Sequence, residues 1–100
     1  MTAMNVVHMR VKQGQEAEFV RLHDEMRSTV MTGLRNLWIA KVGDRDHIVV
    51  GEWDDLDAMA AARPAMIKNL DRVRPLLEDL GGGRGVTEPW SGSVSLHFSG

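Results

Sequence analysis

The chain has 100 residues, of which 43% are hydrophobic and 26% are charged, and its formal net charge at pH 7 is -2. This length suits one domain over residues 1–100, and the charge argues against general nucleic-acid binding, which needs a basic surface. The absence of cysteine excludes disulfides, thiolate metal sites and a cysteine nucleophile. No apolar run can span a membrane, and the first residues lack a signal-peptide layout, so we expect a cytoplasmic protein without a membrane partner.

The first half of the chain predicts a strand, a helix and a β-hairpin. Residues 4–12 alternate apolar and polar side chains, which indicates a strand. From residue 16, apolar side chains recur at helical spacing: Phe19, Leu22, Met26 and Val30. Thr32-Gly33 is expected to end that helix. Residues 34–42 and 47–53 favour strands and flank a polar turn, which is typical of a hairpin.

The second half predicts a helical region and a final strand. Asp54-Asp55 can cap a helix, because a carboxylate accepts bonds from the free N–H groups of its first turn. Residues 56–80 carry an apolar stripe that Pro64 and Pro75 interrupt, so two or three helical pieces are expected. After a triglycine connector, residues 93–98 alternate again and predict a last strand.

This order of elements, β-α-β-β-α-β, predicts an α+β, ferredoxin-like fold. Its four-stranded antiparallel sheet would carry both helices on one face, with the first strand between the third and the fourth. The first strand has apolar side chains on both faces, among them Val6 and Val7. Both faces should therefore be covered, and a second copy of the chain is the expected cover for the face without helices.

Three stretches occur in order along the chain: VKQGQEAEF at 11–19, VGEWD at 50–54, and RPAM at 63–66 followed by RPLL at 74–77. This ordered set resembles the antibiotic biosynthesis monooxygenase superfamily of dimeric α+β barrels. The resemblance implies a homodimer whose two sheets face each other, with a ligand pocket in each subunit between the sheet and the helices. Some members of the family are cofactor-free oxygenases of phenolic polyketides or quinols, some degrade haem, and others have no known activity.

The chain departs from this family at informative positions. Arg63 and Met66 stand where the family's turn motif often has two histidines. Haem-degrading members use an asparagine, a tryptophan and an iron-ligating histidine, and aligning the first strand and Trp53 places Val7, Ala62 and Arg72 there. Alanine cannot shape the haem and arginine cannot ligate iron. Haem degradation is therefore not expected, and neither is any other cofactor.

Cofactor-free oxygenation needs an apolar pocket with one base or hydrogen-bond donor that favours the substrate anion. His23 lies at the edge of the helical stripe and could be that base, or it could be a half-buried histidine bonded to a backbone carbonyl. Arg63 would point towards the sheet if the helix continued through Pro64, and could then hold a carboxylate or an oxyanion. Otherwise it would reach solvent.

Seven further residues are expected to line the ligand pocket: His8, Asn36, Trp38, Trp53, Met26, Met59 and Met66. His8 faces either this pocket or a partner sheet, and Asn36 could bond a substrate oxygen. The tryptophans are more often packing residues, and the methionines are adaptable pocket or core lining. The four histidines lack the close spacing of metal ligands, so no metal site is predicted.

The leading hypothesis is a homodimeric, cofactor-independent monooxygenase that acts on a small apolar or aromatic ligand such as a phenol or quinol. Two alternatives stay open. The first is a non-catalytic ligand-binding or stress-related module of the same fold. The second is an isomerase or lyase that moves protons on an enolisable substrate.

Overall fold

A computed structural model of the protein describes residues 1–26 and 31–100. The helices are α1 (Glu16–Glu25), α2 (Leu56–Ala61) and α3 (Arg63–Val73), with a 3₁₀ turn at Arg74–Leu76. The strands are β1 (Ala3–Val11), β2 (Leu34–Lys41), β3 (Asp46–Trp53), β4 (Leu77–Glu78) and β5 (Glu88–Ser93).

All strand pairs in the sheet are antiparallel. β1 lies between β3 on one side and both β4 and β5 on the other, and β2 forms the edge beyond β3. The expected topology, with the first strand inside the sheet, is confirmed, and the two-residue β4 is an addition to the four expected strands. β5 pairs with the first part of β1, and β4 pairs with Arg10 and Val11 at its end.

The helices begin and end where local chemistry dictates. The side chain of Asp55 accepts a hydrogen bond from the backbone N–H of Ala58 at 2.7 Å, which confirms the predicted cap of α2. α3 then begins at Arg63, with Pro64 in its first turn, where a missing N–H costs nothing. The expected division of the helical region by proline is therefore confirmed.

The helices cover one face of the sheet, which we call the covered face. Alternate residues of β1 and β3, from Ala3 to Val11 and from His47 to Trp53, point towards it. One buried cluster joins β1, α1, β3, α3 and β4: Met9, Val11, Phe19, Met26, Val49, Val73 and Leu77. A second joins the end of β3 to α2: Ala3, Trp53, Met59 and Ala62.

The other side of the sheet carries no helix, and we call it the open face. One row of cross-strand neighbours runs across it from Trp38 to Val50, Val6 and Trp90. The two tryptophans are 50% and 55% exposed. At one end of this face, His8 Nε2 and Arg10 Nε both donate to Asp46 Oδ1, at 2.9 and 3.0 Å. These bonds hold the pKa of Asp46 below its ordinary value.

Three sequence-based boundaries are wrong. The last strand is Glu88–Ser93 and not 93–98, because β1 begins at Ala3, opposite Ser93. The chain before Ala3 offers residues 94–100 only one further bond, from Val94 N–H to the carbonyl of Thr2. The helical region ends before Leu77, which pairs with Val11 as a strand. α1 ends at Glu25, and Val30, expected on the same helix, lies outside the described residues.

In the part of the chain that the structure describes, no helix is both long and apolar enough to cross a membrane.

Candidate functional site

A cavity of about 620 Å³ lies on the covered face, between the sheet and helices α1 and α3. Its walls are mostly apolar and include Val7, Ile39, Val49, Leu70 and Val73. This volume is within the range of pockets that enclose small organic ligands. The polar residues that line it are Asn5, His23, Asp24, Arg35, Asn36 and Asn69.

Trp53 and Asn5 form a fixed polar pair in the wall of this cavity. Trp53 is only 1% exposed, and its indole Nε1–H donates to Asn5 Oδ1 at 2.8 Å. Because an indole N–H can only donate, the oxygen of the amide must face Trp53 and the amide nitrogen of Asn5 must face away. Asn5 Nδ2 makes no hydrogen bond among the described residues and is not sealed from solvent. It is therefore available to a ligand.

Gly51 makes this pair possible. A Cβ atom at position 51 would lie 2.4 Å from Asn5 Oδ1 and 2.9 Å from Trp53 Nε1, both far inside van der Waals contact. A glycine inside a strand is typical of a place where another group approaches the backbone closely. Here that group is the bonded amide and indole.

His23, in the last turn of α1, lines the same cavity and has a defined tautomer. Its Nδ1–H donates to the backbone carbonyl of Phe19 at 2.9 Å, so in the neutral ring the lone pair is on Nε2. Nε2 has no hydrogen-bond partner among the described residues. Burial, followed by the nearby His47, lowers the pKa of His23 below 6.5 despite the carbonyl bond. His23 is therefore a neutral base at pH 7.

Of the two arrangements weighed for His23 from the sequence, the structure has the half-buried histidine bonded to a backbone carbonyl. That bond orients the ring and leaves Nε2 without a partner among the described residues. Phe19 stacks against His23 with ring centroids 4.5 Å apart and against His47 at 5.2 Å. His47 is 3% exposed, and its Nε2 lies 3.4 Å from Glu16 Oε2. The phenyl ring therefore separates the two histidines.

A second cavity of about 480 Å³ adjoins the first, between β1, β5 and the helices α2 and α3. The two cavities share Asn5, Val7 and Met66 in their walls. Leu56, Met59 and Pro89 also line the second cavity, and Arg63 is the only charged residue among the described residues that line it. The space under the helices thus extends from β2 to β5.

The predicted site residues are divided among three places. His23, Met26, Asn36, Trp53 and Met66 line the main cavity. Met59 and Arg63 line the second, with Met66 shared. His8 and Trp38 lie on the open face, as their opposite neighbours Ile48 and Val50 show. The expectation that they line the pocket does not hold in this chain, because their positions alternate with those that face the helices.

Two details qualify these placements. Asn36 lines the main cavity beside a register shift in β2, but its side chain lies on the open face, where Nδ2 donates to Glu52 Oε1 at 2.7 Å. Arg63 is exposed and is the first residue of α3, which begins after the break between the helices at Ala62 and continues through Pro64 to Val73. His23 and Arg63 therefore line different cavities.

The sequence analysis missed Asn5. Its signal was available, since Asn5 has the same parity as Val7, Met9 and Val11 in β1 and is a polar residue on an otherwise apolar face. Gly51, in the middle of the neighbouring strand, was a second signal. Across residues 1–26 and 31–100, no group of three or more histidine or carboxylate side chains is arranged to hold a metal ion.

Comparison with solved structures identifies the fold. The chain is similar to a proposed antibiotic biosynthesis monooxygenase from Chloroflexus aurantiacus, with a TM-score of 0.73, 16% identity and coverage of 99% of this chain and 98% of that one. It is also similar to SnoaB, a cofactor-independent oxygenase from Streptomyces nogalater, with a TM-score of 0.74, 17% identity and coverage of 96% and 95%.

A third similar structure is MhuD, solved with two manganese protoporphyrin IX molecules bound per active site. Its TM-score is 0.73 at 18% identity, with coverage of 98% and 99%. No profile of a known protein family matches the sequence, and no curated protein does. The resemblance drawn from the three sequence stretches is nevertheless confirmed for the fold: this chain has the α+β fold of the antibiotic biosynthesis monooxygenases.

Proposed function

We propose that the protein is a cofactor-independent monooxygenase that oxidises a small phenol- or quinol-like substrate in the main cavity. The observation that carries the proposal is the pairing of one neutral, oriented base with one free amide donor in a largely apolar cavity. The base is His23 Nε2 and the donor is Asn5 Nδ2. The similarity to a cofactor-independent oxygenase supports the same reaction class.

In this proposal His23 begins the reaction. The substrate hydroxyl gives its proton to Nε2, and the resulting phenolate is the electron-rich species that reacts with dioxygen. The lowered pKa keeps His23 unprotonated at pH 7, so no prior deprotonation is needed. Asn5 Nδ2 donates to an oxygen of the substrate and stabilises its negative charge, while Trp53 keeps the amide in place.

The oxygen step needs no cofactor because the substrate supplies the electrons. The anion passes one electron to dioxygen, and the radical pair combines to form a C–O bond at a ring carbon that carries hydrogen. The peroxide takes up the proton held by His23. Cleavage of its O–O bond and loss of the ring hydrogen then leave a carbonyl. The sum is one phenol and one dioxygen giving one quinone and one water.

Oxygen-electrode measurements with a panel of phenols, naphthols and quinols test this function. We expect uptake of one dioxygen per quinone formed, and at least a hundredfold slower turnover in His23→Gln, since general bases typically contribute that much. His97→Gln, which changes an exposed histidine in residues 94–100, is the matched control. No uptake with any substrate would contradict the proposal.

The alternatives predict different outcomes of the same experiment. A non-catalytic module would bind aromatic ligands without consuming oxygen, and His23→Gln would then leave affinity nearly unchanged. An isomerase or lyase would introduce solvent deuterium into an enolisable substrate without oxygen uptake. The free Nε2 of His23 would serve this chemistry too, so deuterium exchange belongs in the first screen.

We further propose that a second copy of the chain covers the open face. The row of Trp38, Val50, Val6 and Trp90 would be an unusual apolar surface to leave in water. A two-fold arrangement would place this row against itself and bury both tryptophans. Light scattering coupled to size-exclusion chromatography should give twice the 11.1 kDa chain mass. A monomer at micromolar concentration would refute the arrangement.

A further inference from the structure

The second cavity contains a cation whose position the proposed oxygenase chemistry does not explain. Every other arginine of residues 1–26 and 31–100 has a carboxylate within ion-pair distance: Arg10, Arg21, Arg35, Arg45, Arg72, Arg74 and Arg84. Arg63 has no carboxylate and no hydrogen-bond partner in this part of the chain. In a protein with more acidic than basic residues, an unpaired guanidinium beside a cavity is a specific feature.

Within residues 1–26 and 31–100, Arg63 is also the only charged residue that lines this cavity. The neighbouring walls are formed by apolar side chains, including Leu56, Met59 and Pro89, and Ser91 is the hydroxyl among them. An apolar surface with a single guanidinium at its edge suits a molecule with an apolar body and one acidic end, because arginine pairs with carboxylates through two parallel N–H bonds.

The two cavities are close enough for one ligand to occupy both. They share Asn5, Val7 and Met66, and together they extend under the sheet from β2 to β5. The sheet order places three inter-strand spacings between those strands, which is roughly 14 Å. Met66, between the cavities, has a flexible side chain that can adapt to a ligand passing beside it.

We propose that Arg63 binds the carboxylate of an elongated substrate whose aromatic end lies in the main cavity near His23. This inference rests on the proposed function and specifies its substrate class, a phenol or quinol with an apolar body and a carboxylate at its far end. Arg63 is then a positioning residue at the far end of the substrate. It sets which molecules bind and in which direction, while proton transfer stays with His23.

The test compares two probes of one shape, 1-pyrenebutanoate and the neutral 1-pyrenebutanol, by isothermal titration calorimetry at pH 7. The wild-type protein should bind the acid about five- to tenfold more tightly than the alcohol, the range expected for an ion pair that is only partly shielded from water. Arg63→Gln should abolish this preference and leave the affinity for the alcohol unchanged. Arg63→Lys should restore part of it.

Lys68→Gln is the matched control. It removes one positive charge from the same helix, at an exposed position that lines neither cavity, and should retain the preference for the acid. Equal affinity of the wild-type protein for acid and alcohol would overturn the proposal, and so would equal losses in Arg63→Gln and Lys68→Gln. Either result would leave the oxygenase proposal intact, because oxygen uptake tests it separately. If neither probe bound, the proposal that these two cavities bind a ligand would itself be overturned.

Discussion

Both faces of the sheet carry apolar side chains, but the two faces differ in construction. The covered face meets three helices and encloses cavities whose walls carry a histidine, an asparagine and several methionines. The open face is a flat surface of valine, isoleucine and tryptophan, with its charged side chains in pairs towards the ends. Alternation along each strand therefore separates a surface suited to a ligand from one suited to a partner.

The two faces also differ in how their polar side chains are hydrogen-bonded. On the open face the polar groups of His8, Arg10, Asp46 and Asn36 bond to one another or to Glu52, so little remains for a ligand. On the covered face, Asn5 and His23 each use one polar atom to fix their orientation and leave the other free. The candidate site is therefore distinguished by polar side chains that one hydrogen bond holds in orientation and whose second polar atom has no partner among the described residues.

The largest expected effect comes from comparing a tryptophan on each face. Trp53→Ala should reduce the free energy of unfolding by about 3–5 kcal/mol, because it removes a large side chain that is 1% exposed. Trp38→Ala, at 50% exposure, should cost less than about 1 kcal/mol when measured at protein concentrations low enough to keep the chain monomeric. Urea denaturation gives both values. Equal losses would mean that the two faces are not packed as described.

Charge on the open face should affect assembly more than folding. Trp38→Glu and Trp90→Glu each place a carboxylate in the centre of the proposed dimer surface, where burial of an unpaired charge is strongly unfavourable. We expect the dimer to weaken by at least about a hundredfold, with the circular dichroism spectrum unchanged. Ala17→Glu, at an exposed position of α1 that lines neither cavity, is the control and should leave the dimer intact. An undiminished dimer in the tryptophan variants would place the interface elsewhere.

Two glycines in strands make a smaller and sharper comparison. Gly51→Ala places a Cβ against Asn5 and Trp53 and should cost about 1–3 kcal/mol, since the bonded pair must move. It should also weaken ligand binding in the main cavity. Gly92→Ala, opposite Met4 on the open face, has no atom within 4 Å of the added carbon and should be neutral. If the Gly51→Ala variant had wild-type stability and affinity, the Asn5 amide would not be held rigidly by Trp53 as described.

The smallest expected effect is the pH dependence that His23 gives to stability. Its pKa is lowered on folding, so between that value and 6.5 the unfolded chain binds more protons than the folded one. The contribution is present above pH 6.5 and is lost as the pH falls through the folded-state pKa. His23→Gln should therefore flatten the decline in stability below pH 6.5, while His97→Gln should not. Melting temperatures between pH 5 and 7.5 measure this, and parallel curves for all three proteins would contradict it.

Much of the fold could be predicted from the sequence because its signals are local. Alternation in residues 4–12, the helical stripe from Phe19 to Met26 and the Asp55 cap each depend on neighbours within a few positions. The last strand was misplaced for the opposite reason. The sequence alternates as a strand should at Val94, Leu96 and Phe98. A strand forms, however, only where it has a partner, and the partner strand β1 begins at Ala3, about 90 positions away in the chain.

The candidate site followed the same rule. His23 could be predicted because it lies beside an apolar helical stripe, and Met26, Trp53 and Met66 because they are large and apolar. Asn5 was missed because its meaning depends on Gly51 and Trp53, residues of another strand. Arg63 is separated from His23 because the helical region breaks at Ala62, between α2 and α3. No local sequence pattern specifies the direction in which α3 then runs.

The position of β1 between two distant parts of the chain has a consequence for synthesis. Ala3 pairs with Trp53 on one side and with Ser93 on the other, so β1 is synthesised before both of its neighbours and waits longest for the second. Such long sequence separations slow folding, because the loop must close before its contacts can form. Until residue 93 has been translated, one edge of an apolar strand stays unpaired. During that interval the unpaired edge is a site at which chains can associate wrongly.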